Sequence, residues 1–300
     1  MNILRLLLSS LLIIPLTTMA QDDLMDMLEK EAGETTVPAV ATFKSTRIIN
    51  GQSVETMKRN HLDFRISHRF GRLNSGAYEL FGLDQAVMRM GFEYGITDDL
   101  MIGIGRSGEQ KAYDFFGKYK LIKQATGARQ VPISVTLFGS SVIRTQRSFV
   151  PGEIFAFEDK LTYTGQLLIA RKFSESLSLQ ITPTYLYRNR PELPGDQRLL
   201  LALGIGGRLK VSRRVSINAE YFYAFRDNTT NLPYYNSLAL GVDIETGGHV
   251  FQLHFTNSLG MIEKQFIGET TGSWGKGDVH YGFNISRTFS LDKKKKMVKN

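Results

Sequence analysis

Two histidines and a carboxylate are the residues of this 300-residue chain best equipped for chemistry. His254 lies in HVFQLHFT (249–256), and His280 opens HYGFNISRTF (280–289) with Asp278 just before it. Both segments alternate apolar and polar residues, and the two histidines fall on the polar face. A turn centred near Gly268 sets His254 opposite Gly282 and makes His280 its diagonal neighbour. Two imidazoles and a carboxylate could hold a divalent metal or serve a hydrolytic centre. Neither HExxH on a helix nor GxSxG at a turn occurs, however. Inward histidines of a wall are ordinarily hydrogen-bonded structural residues, so no metal, cofactor or catalytic residue is expected and the chain is not read as an enzyme. Glycine pairs at Gly103–Gly105 and Gly204–Gly207 lie inside alternating segments. A nucleotide site needs them at a strand-to-helix turn.

Charge supplies the second constellation. The polar face of the alternating segments carries nine basic residues (Arg65, Arg69, Arg89, Lys118, Lys120, Lys160, Arg208, Lys210, Arg226) and seven acidic ones (Asp63, Glu93, Asp114, Glu220, Asp243, Glu245, Asp278). A hairpin centred near residues 76–77 places Arg65 beside Arg89, and Glu220 follows eight segments later. If the segments close into a narrow ring, Glu220 faces the two arginines across it. Unpaired charges in a low-dielectric interior are costly, so an Arg65/Arg89–Glu220 cluster bridging the lumen is expected.

The elements that must position these residues repeat from Leu62 onward. In LDFRISHRF (62–70), Leu62, Phe64, Ile66 and Phe70 face one way, with Asp63, Arg65, Ser67 and Arg69 on the other side. YNSLALGVDIETGGHVFQLHFTNS (235–258) does the same twice around Gly247–Gly248. Twelve such strands can be counted, most about 9–13 residues long, enough for a tilted strand to cross a bilayer. Connections alternate between short turns (96–99, 174–176, 212–214, 246–248, with 123–130 at the same end) and mostly longer loops (71–82, 145–157, 189–197, 227–233, 259–277). Short turns at one end and long loops at the other are the pattern of outer-membrane barrels.

A period of two says only that the two faces see different surroundings. Three features identify hydrocarbon as the apolar one. Charges sit in strand interiors on the polar face, among Gly, Ser, Thr and Asn. Tyr94, Tyr119, Phe173, Tyr187, Phe225, Tyr281 and Phe289 cluster near strand ends on the apolar face, where interfacial rings belong. The final strand ends on an aromatic residue. Hydrocarbon offers an open sheet edge no partner, so closure follows. The fold class is therefore an all-β, transmembrane, antiparallel up-and-down barrel of about 12 strands. Pro183 within a strand predicts a bulge. Arg171 and Arg287 on the lipid face lie near the short-turn end, where they can snorkel.

Residues 1–20 read as a signal peptide, with Arg5, an apolar core and small residues before Ala20. Residues 21–60 read as a periplasmic extension: an amphipathic helix over Asp22–Glu31, either a leader near the barrel mouth or a plug or partner-docking helix, then a further strand over Ala39–Ile49 ended by a turn at Asn50–Gly51. The barrel spans 61–290, and a lysine-rich tail occupies 291–300. The net charge of +8 owes much to five lysines in the last eight residues, so nucleic acid is not an expected partner. The chain has no cysteine and no disulfide.

ATFKSTRIINGQSVE (41–55), LDFRISHRFG (62–71), FGLDQA (81–86), GFEYGITDDLMIGIGRS (91–107) and GDVHYGFNISRTF (277–289) carry a resemblance. Through them the chain resembles a Bacteroidetes-type outer-membrane β-barrel family of unknown function. The resemblance covers nearly the whole exported chain; it implies location and architecture and brings no catalytic residues. The mixed lining points to a narrow passive pore for small polar solutes in a monomeric barrel surrounded by outer-membrane lipid. The alternative is a structural or partner-binding barrel, with Trp274 in loop 259–277 as contact residue and a periplasmic partner for the N-terminal segment. A lumen hydrolase is the remote third reading.

Overall fold

The structure, a computed structural model, describes residues 35–292 except 149, 194, 228–233 and 247–248. The expected signal peptide, the helix over Asp22–Glu31 and most of the lysine-rich tail lie outside the described residues.

Twelve antiparallel strands close into one barrel. They are β1 (His61–Arg72), β2 (Ala86–Gly95), β3 (Leu100–Ser107), β4 (Tyr113–Ile122), β5 (Ser134–Ile143) and β6 (Leu161–Lys172). β7 (Leu177–Arg188), β8 (Leu199–Lys210), β9 (Val215–Phe225), β10 (Ser237–Thr246), β11 (His249–Thr256) and β12 (His280–Ser290) complete the set. Each pairs with its sequence neighbours, and β12 pairs with β1 to close the ring. No helix of the described residues is long and apolar enough to cross a membrane, and crossing is left to the strands.

The side chains are arranged inside out. Leu201, Ile205, Leu240, Leu253 and Phe255 are each about half exposed on the outer face, whereas Arg69, Arg89 and Lys118 are 1% exposed within. This is the period-two pattern with hydrocarbon outside. Arg171 and Arg287 lie over the rings of Phe173 and Phe289 (5.1 and 4.9 Å), a cation–π arrangement at the short-turn end.

Pro183 produces no bulge. The β6–β7 register is the same on either side of it, from Gln166↔Thr184 to Ile169↔Ile181, and Leu203 faces it in β8. The shifts fall at Lys120/Ile122 and His280/Gly282 instead. One missing donor is tolerated because the neighbouring ladder bonds on both sides hold the register.

Residues 39–49 add no strand to the barrel. Among the described residues of the N-terminal segment, the only ladder pairs Val37–Pro38 with Ala125–Thr126 in the β4–β5 connection. Beyond it the chain turns into the lumen.

Candidate functional site

The lumen is filled from both ends. From the short-turn end, residues 39–60 run inward, reverse and come back out to start β1. Asn50–Gly51 makes the reversal, as its residue types predict: Ile48 N donates to Gly51 O (2.8 Å) and Ser53 N to Thr46 O (2.9 Å). Only one bridge, Arg47↔Gln52, joins the two legs. Wall side chains take most of the remaining backbone groups, so the insert bends rather than extending as a strand.

Three of those wall groups dominate. The Glu220 carboxylate of β9 accepts the N–H groups of Ile49 (3.1 Å), Asn50 (2.7 Å) and Gly51 (3.0 Å). Successive N–H groups converging on one anion form a nest. Lys118 of β4 donates to the carbonyls of Thr46 (2.5 Å) and Ser53 (3.0 Å), one on each leg. Gln180 of β7 reads the backbone as another strand would, accepting from Val54 N (2.9 Å) and donating to Gln52 O (2.7 Å). Gln252 of β11 and Asn284 of β12 donate to Ile48 O (2.6 Å) and Ile49 O (3.2 Å).

An apolar seat completes the fit. Phe43, Ile48, Ile49 and Val54 cluster with the inward-facing Met101, Phe116, Phe138 and Leu168. Burying such side chains contributes about 1.5–3 kcal/mol each. Glycines make the room. A Cβ at Gly51 would lie 2.8 Å from the Phe222 ring, and one at Gly206 would lie 2.4 Å from Ile48. The β3 glycines of the GxG pair have the same purpose: Phe116 covers Gly103, and the Arg89–Asp114 pair covers Gly105.

The β11–β12 connection folds in from the opposite end. It carries a short helix, α1 (Glu263–Gly268), whose residues are all buried. Phe266 meets Phe222 edge to face at 5.1 Å, within a second cluster that includes Ile267, Leu186 and Leu200. The two inserts touch at the centre: Gln52 Nε2 donates to Glu263 Oε1 (2.8 Å), and Arg47 lies 3.6 Å from the same carboxylate.

The outer end of α1 is held by Lys264, which reaches Glu192 and Glu269 (2.7 Å each) and Gln110 Oε1 (2.7 Å). Burial alone would raise the Glu192 carboxyl, but the Lys264 ammonium and Arg144 guanidinium outweigh it and hold it below its ordinary value. A depressed carboxyl contributes stability that is present above its unfolded pKa and lost as pH falls through the folded one. The fluorescence of Trp274, the only tryptophan, should therefore stay constant from pH 8 to about 5 and change only below the ordinary glutamate value of about 4.3. A transition near pH 6 would contradict this latch.

The expected charge cluster does not assemble. Arg65 faces Gly91 and Arg89 faces Ser67, so the two arginines are diagonal, and each has another partner. Arg65 donates to Ser45 Oγ (2.7 Å) and Thr46 Oγ1 (3.0 Å) and lies near Asp63 (3.4 Å) and Glu93 (4.0 Å). Arg89 grips Asp114 through Nε (3.0 Å) and Nη2 (2.5 Å). The N-terminal insert occupies the space across which Glu220 was to reach them.

The histidines have the expected register, His254↔Gly282 and Thr256↔His280, yet they form no metal centre with Asp278. The Arg69 guanidinium donates to His254 Nε2 and, through its other arm, to Asn50 Oδ1 of the insert. His280 Nδ1 donates to Phe70 O (2.9 Å). Asp278 is turned to the loops, accepting from Arg72 (3.2 Å), Asn74 (2.8 Å) and Ser273 N (3.1 Å). Among the described residues no group of three metal-ligating side chains occurs. Replacing both histidines by alanine should leave the metal content of the purified protein unchanged; a loss of bound zinc would overturn the assignment. Trp274 is half-buried, its indole N–H donated to Leu238 O (3.1 Å), which ties the loop to the rim of β10.

Sequence reasoning missed Asn50, Gln180, Gln252, Asn284 and Glu263 as holding groups. One signal was available: Phe116, Phe138 and Phe222 fall on the polar face, where a water-filled lumen has no use for them.

A family profile described as "Membrane bound beta barrel domain (DUF5777)" matches residues 43–289, which include the buried part of the N-terminal insert. No curated protein sequence matches. Among solved structures, the NanC porin is 8% identical at a TM-score of 0.46, covering 77% of this chain and 100% of its own. The KdgM porin is 9% identical at 0.44, covering 76% and 99%. An outer membrane channel from Pseudomonas putida F1 is 9% identical at 0.47, covering 79% and 98%.

Proposed function

The chain belongs to the membrane bound beta barrel domain family, and from that premise we propose an outer-membrane channel for small polar solutes that is closed at rest and opens when its N-terminal insert withdraws. The observation that carries this reading is how the insert is held. Its backbone is bound by side chains of the wall, through Glu220, Lys118 and Gln180, and by no continuous ladder with a barrel strand. Side-chain grips can be released one by one while the twelve-stranded ring stays closed. Both legs of the insert leave through the short-turn end, the periplasmic side of a barrel in this orientation, so a periplasmic partner could draw it out.

A second reading has its own support. Withdrawal of the N-terminal insert would expose Phe116, Phe138 and Leu168 to lumen water. That cost favours a permanently filled barrel that presents its loops to a partner. Single-channel recording in planar bilayers separates the two. Full-length protein should be silent with rare openings, and protein lacking residues 21–60 should conduct steadily. Silence from both would leave the structural or partner-binding barrel.

A further inference from the structure

At the short-turn mouth, beside the N-terminal insert, lies an open cavity of about 600 Å³. It is lined by Lys44 of the insert and by Lys172, Arg208, Lys210 and Arg213 of the wall, against only Glu175 and Glu245. The two carboxylates are already engaged: Glu245 with Lys44 (2.6 Å) and Glu175 with Lys172 (2.8 Å). Lys210 and Arg213 form no ion pair among the described residues. The cavity thus offers net positive charge at the mouth, beside the uncharged backbone of residues 37–41 that also lines it.

The sequence immediately upstream has the complementary charge. Residues 22–34, DDLMDMLEKEAGE, contain six carboxylates and one lysine. Glu34 is three residues from Val37, which is fixed to Thr126 at the cavity edge. Thirteen residues extend at most about 45 Å, so the acidic stretch is tethered within reach of the cavity, at the millimolar effective concentration of a short tether. We propose that this basic cavity is a docking site for an acidic peptide, and that its occupant is the chain's own segment 22–34. Docking there would fasten the outer leg of the insert to the β6–β7 and β8–β9 turns, adding a charge-dependent lock to the side-chain grips inside.

The test is zero-length carbodiimide cross-linking of the full chain in phosphatidylcholine vesicles, mapped by mass spectrometry. Links from carboxylates of residues 22–34 to Lys44, Lys172 or Lys210 are expected. They should fall severalfold in 1 M NaCl, where the Debye length is about 3 Å. The double substitution Lys210→Glu with Arg213→Glu should reduce the remaining links to Lys44 and Lys172 to a similar degree. The substitutions Asp22→Lys, Asp23→Lys and Asp26→Lys should do so as well, with the barrel sequence untouched. Links that persist in high salt and in both variants would overturn the proposal. So would links no more frequent to these lysines than to Lys123 on a neighbouring turn. A third overturning result is an absence of links while inorganic tripolyphosphate shields Lys210 from acetylation, which would give the cavity to a small anion. The readout needs no conductance, so it stands or falls separately from the channel reading.

Discussion

Replacing Glu220 by alanine should loosen the N-terminal insert while leaving the barrel folded. The carboxylate accepts three successive N–H groups at the tip of the insert, and hydrogen bonds to a charged group are worth roughly 1.5–3 kcal/mol each. They share one acceptor and are not additive, so a loss on the order of 3–5 kcal/mol is expected, partly because the three donors are left buried. At 1.4 kcal/mol per tenfold, the withdrawn state should become at least about a hundredfold more populated. Two measurements read this directly: proteolysis of residues 39–56 from the short-turn side, and opening frequency in planar bilayers. Both should rise together, with the β-sheet circular dichroism unchanged. Gly206→Val provides an independent route, because the added side chain meets Ile48 without altering any wall charge; overpacking of this kind costs about 1–3 kcal/mol. If neither variant makes the insert more accessible, Glu220 and the seat under Ile48 are not what holds it.

The second large effect is expected at Asp114. Its carboxylate neutralises Arg89 through a two-point grip, and each side chain is only 2% exposed. Asp114→Ala strands a buried guanidinium, and breaking such a pair costs about 3–5 kcal/mol. Replacing both partners by apolar residues, Arg89→Met with Asp114→Leu, should recover most of that loss, since the pair itself contributes little net stability once its desolvation is counted. Denaturant midpoints of the three proteins measure it. A loss below about 1 kcal/mol in Asp114→Ala would mean that water reaches Arg89 freely. The filled lumen described above would then be wrong, and an open channel would take its place.

These two residues also mark the boundary of what could be read from the chain. Asp114 and Arg89 were both legible as wall charges, because the strand period assigns each side chain to a face. Their pairing was not, because they meet across β3 only where Gly105 leaves the space. Sequence spacing suggested Arg65, Arg89 and Glu220 as one group. It had no means of knowing that another part of the chain would lie between them.

By itself the sequence determined the environment of each face, the number of strands and the ends at which turns and loops fall. Those properties depend on neighbours two residues apart along the chain and on hydrocarbon, which has no partner for a free backbone group. It also placed the reversal at Asn50–Gly51, a local preference of the backbone. Tertiary structure alone decided what fills the lumen: which segment enters, which wall carboxylate receives its N–H groups, and that Arg69 is the partner of His254. Those contacts join residues as far as 235 positions apart. Their geometry exists only after the ring has closed and fixed the distance across it.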